Sequence, residues 1–245
     1  MQIRNLNPMK TYATGTILLA FFLSLISFTN RSNGSSEGFT EVGSTHHNIF
    51  NRVYHNISSQ GAMLSEEVFQ LACTGFQKLS AEGRLSNDSI LTIIDFSKSS
   101  REKRMFVIDL KSEKILFNNV VAHGKNTGLE YAKYFSNTPS SHQSSLGFYI
   151  TDKPYQGSNG YSLALEGIEA GFNDKARERA IVIHGAPYAN EKIIQQKGYL
   201  GRSFGCPALP VSINKKIIDQ IKEGNCMFVY YPNSTYLKKS KLLNG

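Results

Sequence analysis

Cys206 stands in "GYLGRSFGCPALP", residues 198–210, among small residues and prolines. Such a stretch gives a core cysteine little apolar company and gives a reactive one a turn on which to be presented. Chemistry at a thiol has three requirements. The thiol must ionise, a base or cation must lie close, and donors must meet the developing oxyanion. Gly205 immediately precedes Cys206, and Ser203 lies two residues further back. Glycine permits a sharp turn and close approach of a substrate. Pro207 has no N–H, so the donors are the amides of Gly205 and Cys206, or groups from elsewhere in the site.

Six histidines are available as the base. His46, His47 and His55 fall in or near a polar stretch and read as solvated. His142 sits in the loop "SNTPSSHQSS". His184 ends the apolar run "AIVIHG" and is followed by Gly185, so it points into whatever cleft lies at the strand end. His123 occupies a similar "VVAHG", and the residues alone leave both open.

The elements that must position these groups are legible as patterns. "AMLSEEVFQLACTGFQKLSAEG" spaces Leu64, Val68, Leu71, Ala72 and Leu79 as an amphipathic helix over residues 62–81, read as an extra packed on the main domain. From residue 90 the pattern turns to strands: "ILTIIDF", then a hairpin in "KRMFVIDLKSEKILFNNVVAHG", then "GFYIT", "YSLALEG" and "RAIVIHG". "SINKKIIDQIKEG" puts Ile213, Ile217, Ile218 and Ile221 on one helical face, with Ser212 as N-cap and Gly224 as stop. "CMFVYYP" closes the series. The expectation is a mainly β domain, sandwich-like or barrel-like, with flanking helices.

Composition sets the surroundings. The 245-residue chain is 40% hydrophobic, enough for one core, and carries a formal charge of +8, which suits an anionic environment or substrate. No basic run, RNA-binding motif or zinc-finger spacing points to nucleic acid. No H-x-x-H pair stands near His184, and neither a metal nor a cofactor is expected. "MQIRNLNPMK" followed by the apolar "GTILLAFFLSLISF" reads as a secretory signal, the alternative being an uncleaved membrane anchor. The protein is therefore expected to be exported, to the periplasm or cell envelope. Cys73 and Cys226 flank apolar runs and read as buried thiols, a bridge between them being the alternative. The division expected is a signal or anchor over 1–29, a linker over 30–61, a helical extension over 62–87, the catalytic domain over 88–235 and a tail over 236–245.

"IVIHGAPYANEKIIQQKGYLGRSFGCPALP" resembles the catalytic stretch of the murein L,D-transpeptidases, the YkuD-type family, in its "GRSxGCPA" branch. The upstream "SSLGFYITDKPYQGSNGYSLALEGIEAGFNDKARERAIVIHGA" fits that branch too, and the likeness runs over residues 88–232. The resemblance implies an L,D-transpeptidase-like fold. It also implies acyl transfer on peptidoglycan stem peptides through a thioester, by transpeptidation or carboxypeptidation. It assigns Cys206 as nucleophile, His184 as base, the amides of Gly205 and Cys206 as oxyanion donors, the Gly185 carbonyl as orienter of the imidazole, and Ser203 as part of the motif. Arg202 is expected to grip a substrate carboxylate or to brace the loop. Tyr149, Tyr161 and Tyr188 fall in the cleft-forming region, Tyr149 and Tyr188 as substrate contacts, and Asn173 and Asp174 could bond near His184. Phe204 departs from the histidine usual at its position, the spacer from His184 to Cys206 is long, and "PALP" stands where an arginine usually follows. The competing readings are another exported cysteine peptidase or amidase of the wall, and a wall-binding module without catalysis.

Overall fold

The structure, a computed structural model, describes residues 49–61 and 63–245. The apolar segment read as a signal or anchor lies outside the described residues, as do His46 and His47. Among the described residues no helix is long and apolar enough to cross a membrane.

The centre is one eight-stranded mixed sheet in the order β3-β2-β1-β8-β4-β5-β6-β7. Strands β1 (Ile90–Asp95) and β8 (Cys226–Tyr230) pair in parallel at its middle. Both are buried at every position, which is why their sequences are unbroken apolar runs rather than alternations. β2 (Met105–Asp109) and β3 (Lys114–Asn119) form the hairpin expected from the sequence. On the other side β4 (Gly147–Gly157) and β5 (Gly160–Gly167) make a long hairpin, followed by β6 (Val182–Gly185) and the short β7 (Ala208–Leu209). β6 pairs β5 antiparallel and β7 in parallel. The domain is mainly β with flanking helices, as the patterning implies.

Helix α1 covers residues 49–58, inside the stretch expected as linker. Phe50, Val53 and Ile57 recur at helical spacing and are all buried, so one face of α1 joins the core. Helix α2 (Glu66–Ala81) starts on Ser65, whose hydroxyl caps the Val68 amide at 3.2 Å. Far from being an appended extra, α2 packs on β1 and β8 and shares their hydrophobic cluster. Its Gly75 lets the helix approach the Phe148 ring, which an added Cβ would meet at 2.1 Å.

Helix α3 (Glu191–Lys197) is capped by Asn190 and ended by Gly198 at φ +79°. Helix α4 (Asn214–Ile221) buries Ile217, Ile218 and Ile221 against β4, β5 and β6. Ser212 does not cap it. Ile213 holds the cap position without a side-chain bond, and the Pro210 carbonyl accepts from the amides of Ile213 and Asn214 instead. The helix stops at Lys222, and Gly224 (φ +85°) turns the chain into β8. Helices α5 (Ser234–Lys239) and α6 (Lys241–Asn244) occupy the expected tail. They are anchored by buried Tyr236 and Ser240, whose hydroxyls both donate to the Glu169 carboxylate. Cys73 and Cys226 are free and buried, and burial pushes both thiols well above the ordinary range.

Candidate active site

The turn that carries Cys206 is clamped by backbone on both sides. Ser203 donates its amide to His123 O at 2.9 Å and accepts from the Lys125 amide at 2.8 Å. Beyond the turn, Ala208 pairs with His184 of β6 and bridges to Ala122. Cys206, two residues before Ala208, is thereby held beside the end of β6. The long spacer between His184 and Cys206 folds into α3 and returns, closed by a bond from the Gly201 amide to Tyr188 O at 2.9 Å.

Within the turn, Ser203 Oγ donates to Cys206 O at 2.6 Å and accepts from the Gly205 amide at 3.0 Å. Gly205 takes φ +128°, and a Cβ there would meet Gln143 O at 2.8 Å, so glycine is required twice over. Ser144 Oγ donates to Gly205 O at 3.0 Å. These bonds correct one expectation. The Gly205 N–H is engaged by Ser203, so Gly205 shapes the turn instead of supplying an oxyanion donor. The Cys206 amide lies beside its own Sγ and favours the charged form of the thiol.

Cys206 Sγ is half-buried. It accepts from the Val182 amide at 3.5 Å, and its S–H donates to Ala180 O at 3.6 Å. Ala180 has φ +51°, a left-handed conformation uncommon for a residue with a Cβ, and it aims that carbonyl at the thiol. Burial pushes the thiol up, while the Val182 amide and the Arg179 charge pull it back.

His184 is buried, and its Nδ1 lies 3.1 Å from Gly185 O. A carbonyl only accepts, so Nδ1 carries the proton and Nε2 keeps its lone pair. Burial lowers the His184 pKa, which keeps the imidazole neutral near pH 7 and able to accept a proton. Gly185 also lets α4 approach, since a Cβ there would meet the Asn214 side chain at 2.8 Å. His184 and Cys206 line one cavity of about 480 Å³, whose other walls include Tyr188, Arg202, Phe204 and the β4–β5 hairpin residues Ser158 and Asn159.

The remaining residues separate cleanly. Tyr188 is half-buried in the cleft wall, and burial raises its phenol to about 12. Arg202 reaches the same cleft, with Nη1 donating to Lys125 O and Gly128 O at 3.2 and 3.3 Å. Tyr149 is not in the cleft: its ring is buried in the core and its hydroxyl pairs with Ser145 Oγ at 2.8 Å. It sits inward on β4, on the face opposite to Phe148, and is fully buried beside Ser145. Tyr161 donates to Asp219 at 2.6 Å, away from the cleft. Asn173 bonds Leu146 O, Phe148 O and the Glu169 amide, and Asp174 bonds the Gly171 amide and Asn137, so both brace loops and neither bonds the imidazole. His55 is exposed on α1. His142 stacks on Phe204 with ring centroids 4.6 Å apart, and Lys125 Nζ caps the same ring at 4.6 Å.

Sequence reasoning missed Arg179 and Ser144. "DKARERA" reads as a charged, solvated face, and the signal against that reading is the apolar "AIVI" that begins directly after Arg179. Among the described residues no cluster of His, Cys, Asp or Glu has the make-up of a metal site.

A half-buried thiol on a glycine-shaped turn and a neutral, oriented imidazole line one cavity on a mainly β scaffold. Residues 60–230 match the L,D-transpeptidase catalytic domain family, and the chain belongs to it. The match begins ahead of β1 and takes in α2, in keeping with that helix's place in the core. Similar solved structures include an L,D-transpeptidase from Mycobacterium smegmatis, with 13% identity over 58% of this chain and 59% of that chain and a TM-score of 0.37. The helical cell shape determining protein Pgp2 from Campylobacter jejuni shares 13% identity over 60% of this chain and 49% of that one, with a TM-score of 0.38. The chain thus spans about half to three fifths of the length of these relatives. No curated protein matches it in sequence.

Proposed function

We propose that this chain is an exported cysteine acyltransferase acting on peptidoglycan stem peptides, by L,D-transpeptidation, L,D-carboxypeptidation or both. The observation that carries the reading is the shared cleft. Cys206 stands on a turn fixed by Ser203 and Gly205, and His184, its Nδ1 bonded to Gly185 O, lines the same cavity.

In this mechanism His184 Nε2 takes the Cys206 proton, and the thiolate attacks the carbonyl of the third stem residue. The negative charge moves to the carbonyl oxygen, where the Cys206 N–H would meet it. As the C–N bond breaks, His184 returns the proton to the leaving amine and D-alanine departs, leaving an acyl-thioester. An amine from a neighbouring stem then attacks, gives its proton to His184, and releases the thiol with a new cross-link. Water in the same role gives a tripeptide. Tyr188, Arg202 and the Phe204–Lys125–His142 stack would form the walls that grip the stem. Arg202, held by two carbonyls, presents its remaining N–H groups to anionic parts of the substrate.

The test is product analysis of purified protein with stem tetrapeptides, wild type beside Cys206→Ala. The expected result is D-alanine release with dimers or tripeptides, absent in the variant. Dimers mark transpeptidation and tripeptides carboxypeptidation. Release of a different fragment would instead assign the site to another wall peptidase or amidase.

A further inference from the structure

Arg179 lies in the turn leading into β6, one residue ahead of Ala180, whose carbonyl accepts from the Cys206 thiol. Its guanidinium sits against the nucleophile turn: a Cβ on Gly205 would lie 3.3 Å from Nη2. Nη1 donates to Ser136 O at 2.7 Å and Ser145 Oγ at 3.1 Å, and Nη2 donates to Ser141 Oγ at 3.3 Å and to Gln143 O. All four acceptors are neutral. Among the described residues no carboxylate lies within ion-pair distance of Arg179. A half-buried cation without a counter-anion is unfavourable unless the site gains an anion when it works.

We propose that Arg179 is a positioning residue for Cys206: its uncompensated charge favours the thiolate, and its four hydrogen bonds fix the loop on which the nucleophile turn rests. The proposal rests on Cys206 as the nucleophile. The donors of Arg179 are largely occupied by the loop, so it acts through charge and position and not by gripping substrate. Gln143 O, one of its acceptors, is also the atom nearest the missing Cβ of Gly205. Arg179 thus holds the surface that forces the turn's geometry.

Other ionisable groups lie around the cleft. His184 on β6, Tyr188 after it and Arg202 on the nucleophile loop line the cavity that Cys206 also lines, and Lys125 and His142 pack against Phe204. His184 is neutral and Tyr188 is protonated near pH 7. Arg202 and Lys125 are exposed, where water and salt weaken their fields. Arg179 is the cation sheltered beside the sulfur, and each of the two groups favours the charged form of the other. It enters the site from the segment before β6, while "PALP" follows the cysteine.

The experiment is the pH dependence of iodoacetamide alkylation at Cys206, read by mass spectrometry of the peptide that contains it, which separates it from buried Cys73 and Cys226. Wild type is compared with Arg179→Gln, Arg179→Met and Arg179→Lys, each checked for folding by circular dichroism. The charge-free variants should move the alkylation midpoint alkaline by about one pH unit. That shift makes the reaction about tenfold slower near pH 7, with the high-pH plateau unchanged. Arg179→Lys should recover most of the shift. An unchanged midpoint, or Arg179→Lys as impaired as Arg179→Gln, would overturn the proposal. Failure of both charge-free variants to fold would also overturn it, by making Arg179 a structural brace alone. Alkylation reads the thiol whether or not a stem peptide is turned over. A wild-type thiol that shows this dependence yet leaves stem peptides intact would refute the proposed function and leave the role of Arg179 standing.

Discussion

Two stretches of this chain end in the same way, "VVAHG" at residues 120–124 and "IVIHG" at residues 181–185, and they put their histidines to opposite uses. His123 accepts a hydrogen bond on Nδ1 from Arg104 Nη2 at 2.7 Å and donates from Nε2 to Gly128 O at 3.3 Å. Both nitrogens are engaged, and burial with the Arg104 charge beside it pushes the pKa down to about 3. His184 donates from Nδ1 to a carbonyl, and among the described residues its Nε2 has no hydrogen-bond partner. The group facing Nδ1 decides the role. A cation there locks the ring as a neutral structural joint, and a carbonyl there leaves Nε2 with its lone pair. The glycines differ as well. Gly124 packs between backbone atoms of His142, Ser144 and Gly205, while Gly185 faces the Asn214 side chain.

The largest effect that would break this comparison concerns activity. His184→Ala should lower turnover of stem peptides by about 10²–10⁴-fold, the usual contribution of a positioned general base. His123→Ala should leave the pH profile of the remaining activity in place. Equal damage to both profiles in a pH–rate series would erase the distinction.

Next comes stability. His123→Ala strips a buried Arg104 N–H of its partner and should cost about 1–3 kcal/mol in urea unfolding, beyond the loss of ring packing against Phe96. The pH dependence sharpens this. An unfolded histidine titrates near 6.5 and folded His123 at about 3, so the unfolded chain takes up the proton first as pH falls. The stability contributed by neutral His123 is therefore full above about pH 6.5 and is lost as pH drops toward 3, by up to about 1.4 kcal/mol per unit. The variant should lose that limb, which unfolding curves between those limits will show.

Smaller still is the contrast between the glycines. Gly124→Ala drives a Cβ to 2.5 Å from His142 O, a backbone atom that cannot easily move, and should cost about 2–3 kcal/mol. Gly185→Ala meets the Asn214 side chain at 2.8 Å, which can rotate, and should cost about 1 kcal/mol. The smallest effect separates the two tyrosines. Tyr149→Phe should cost about 1 kcal/mol of stability with KM unchanged, while Tyr188→Ala should raise KM with little change in stability.

Local patterns explain what could be read ahead of the structure. The β2–β3 hairpin, the buried β1 and β8, the face of α4, and the pairing of a strand-end histidine with a glycine-flanked cysteine all rest on residues close in sequence. What could not be read depends on distant partners. Phe50, Val53 and Ile57 are spaced for a helix but sit among Asn, Ser and His, and only the core they join reveals α1. The loss of the Gly205 amide as a donor depends on where Ser203 Oγ turns. Tyr149 reads like Tyr188 until the sheet buries one and the cleft exposes the other. Arg104 lies 19 residues before His123, and Arg179 belongs to a run of charges that looks wholly solvated.

The most direct measurement is the rate of acyl-enzyme formation by intact-protein mass spectrometry with a stem tetrapeptide, on wild type, His123→Ala and His184→Ala. The account predicts an adduct on the Cys206 peptide that forms readily in wild type and in folded His123→Ala, and at least about a hundredfold more slowly in His184→Ala. An adduct that forms as fast without His184, or that maps to a residue other than Cys206, would contradict it.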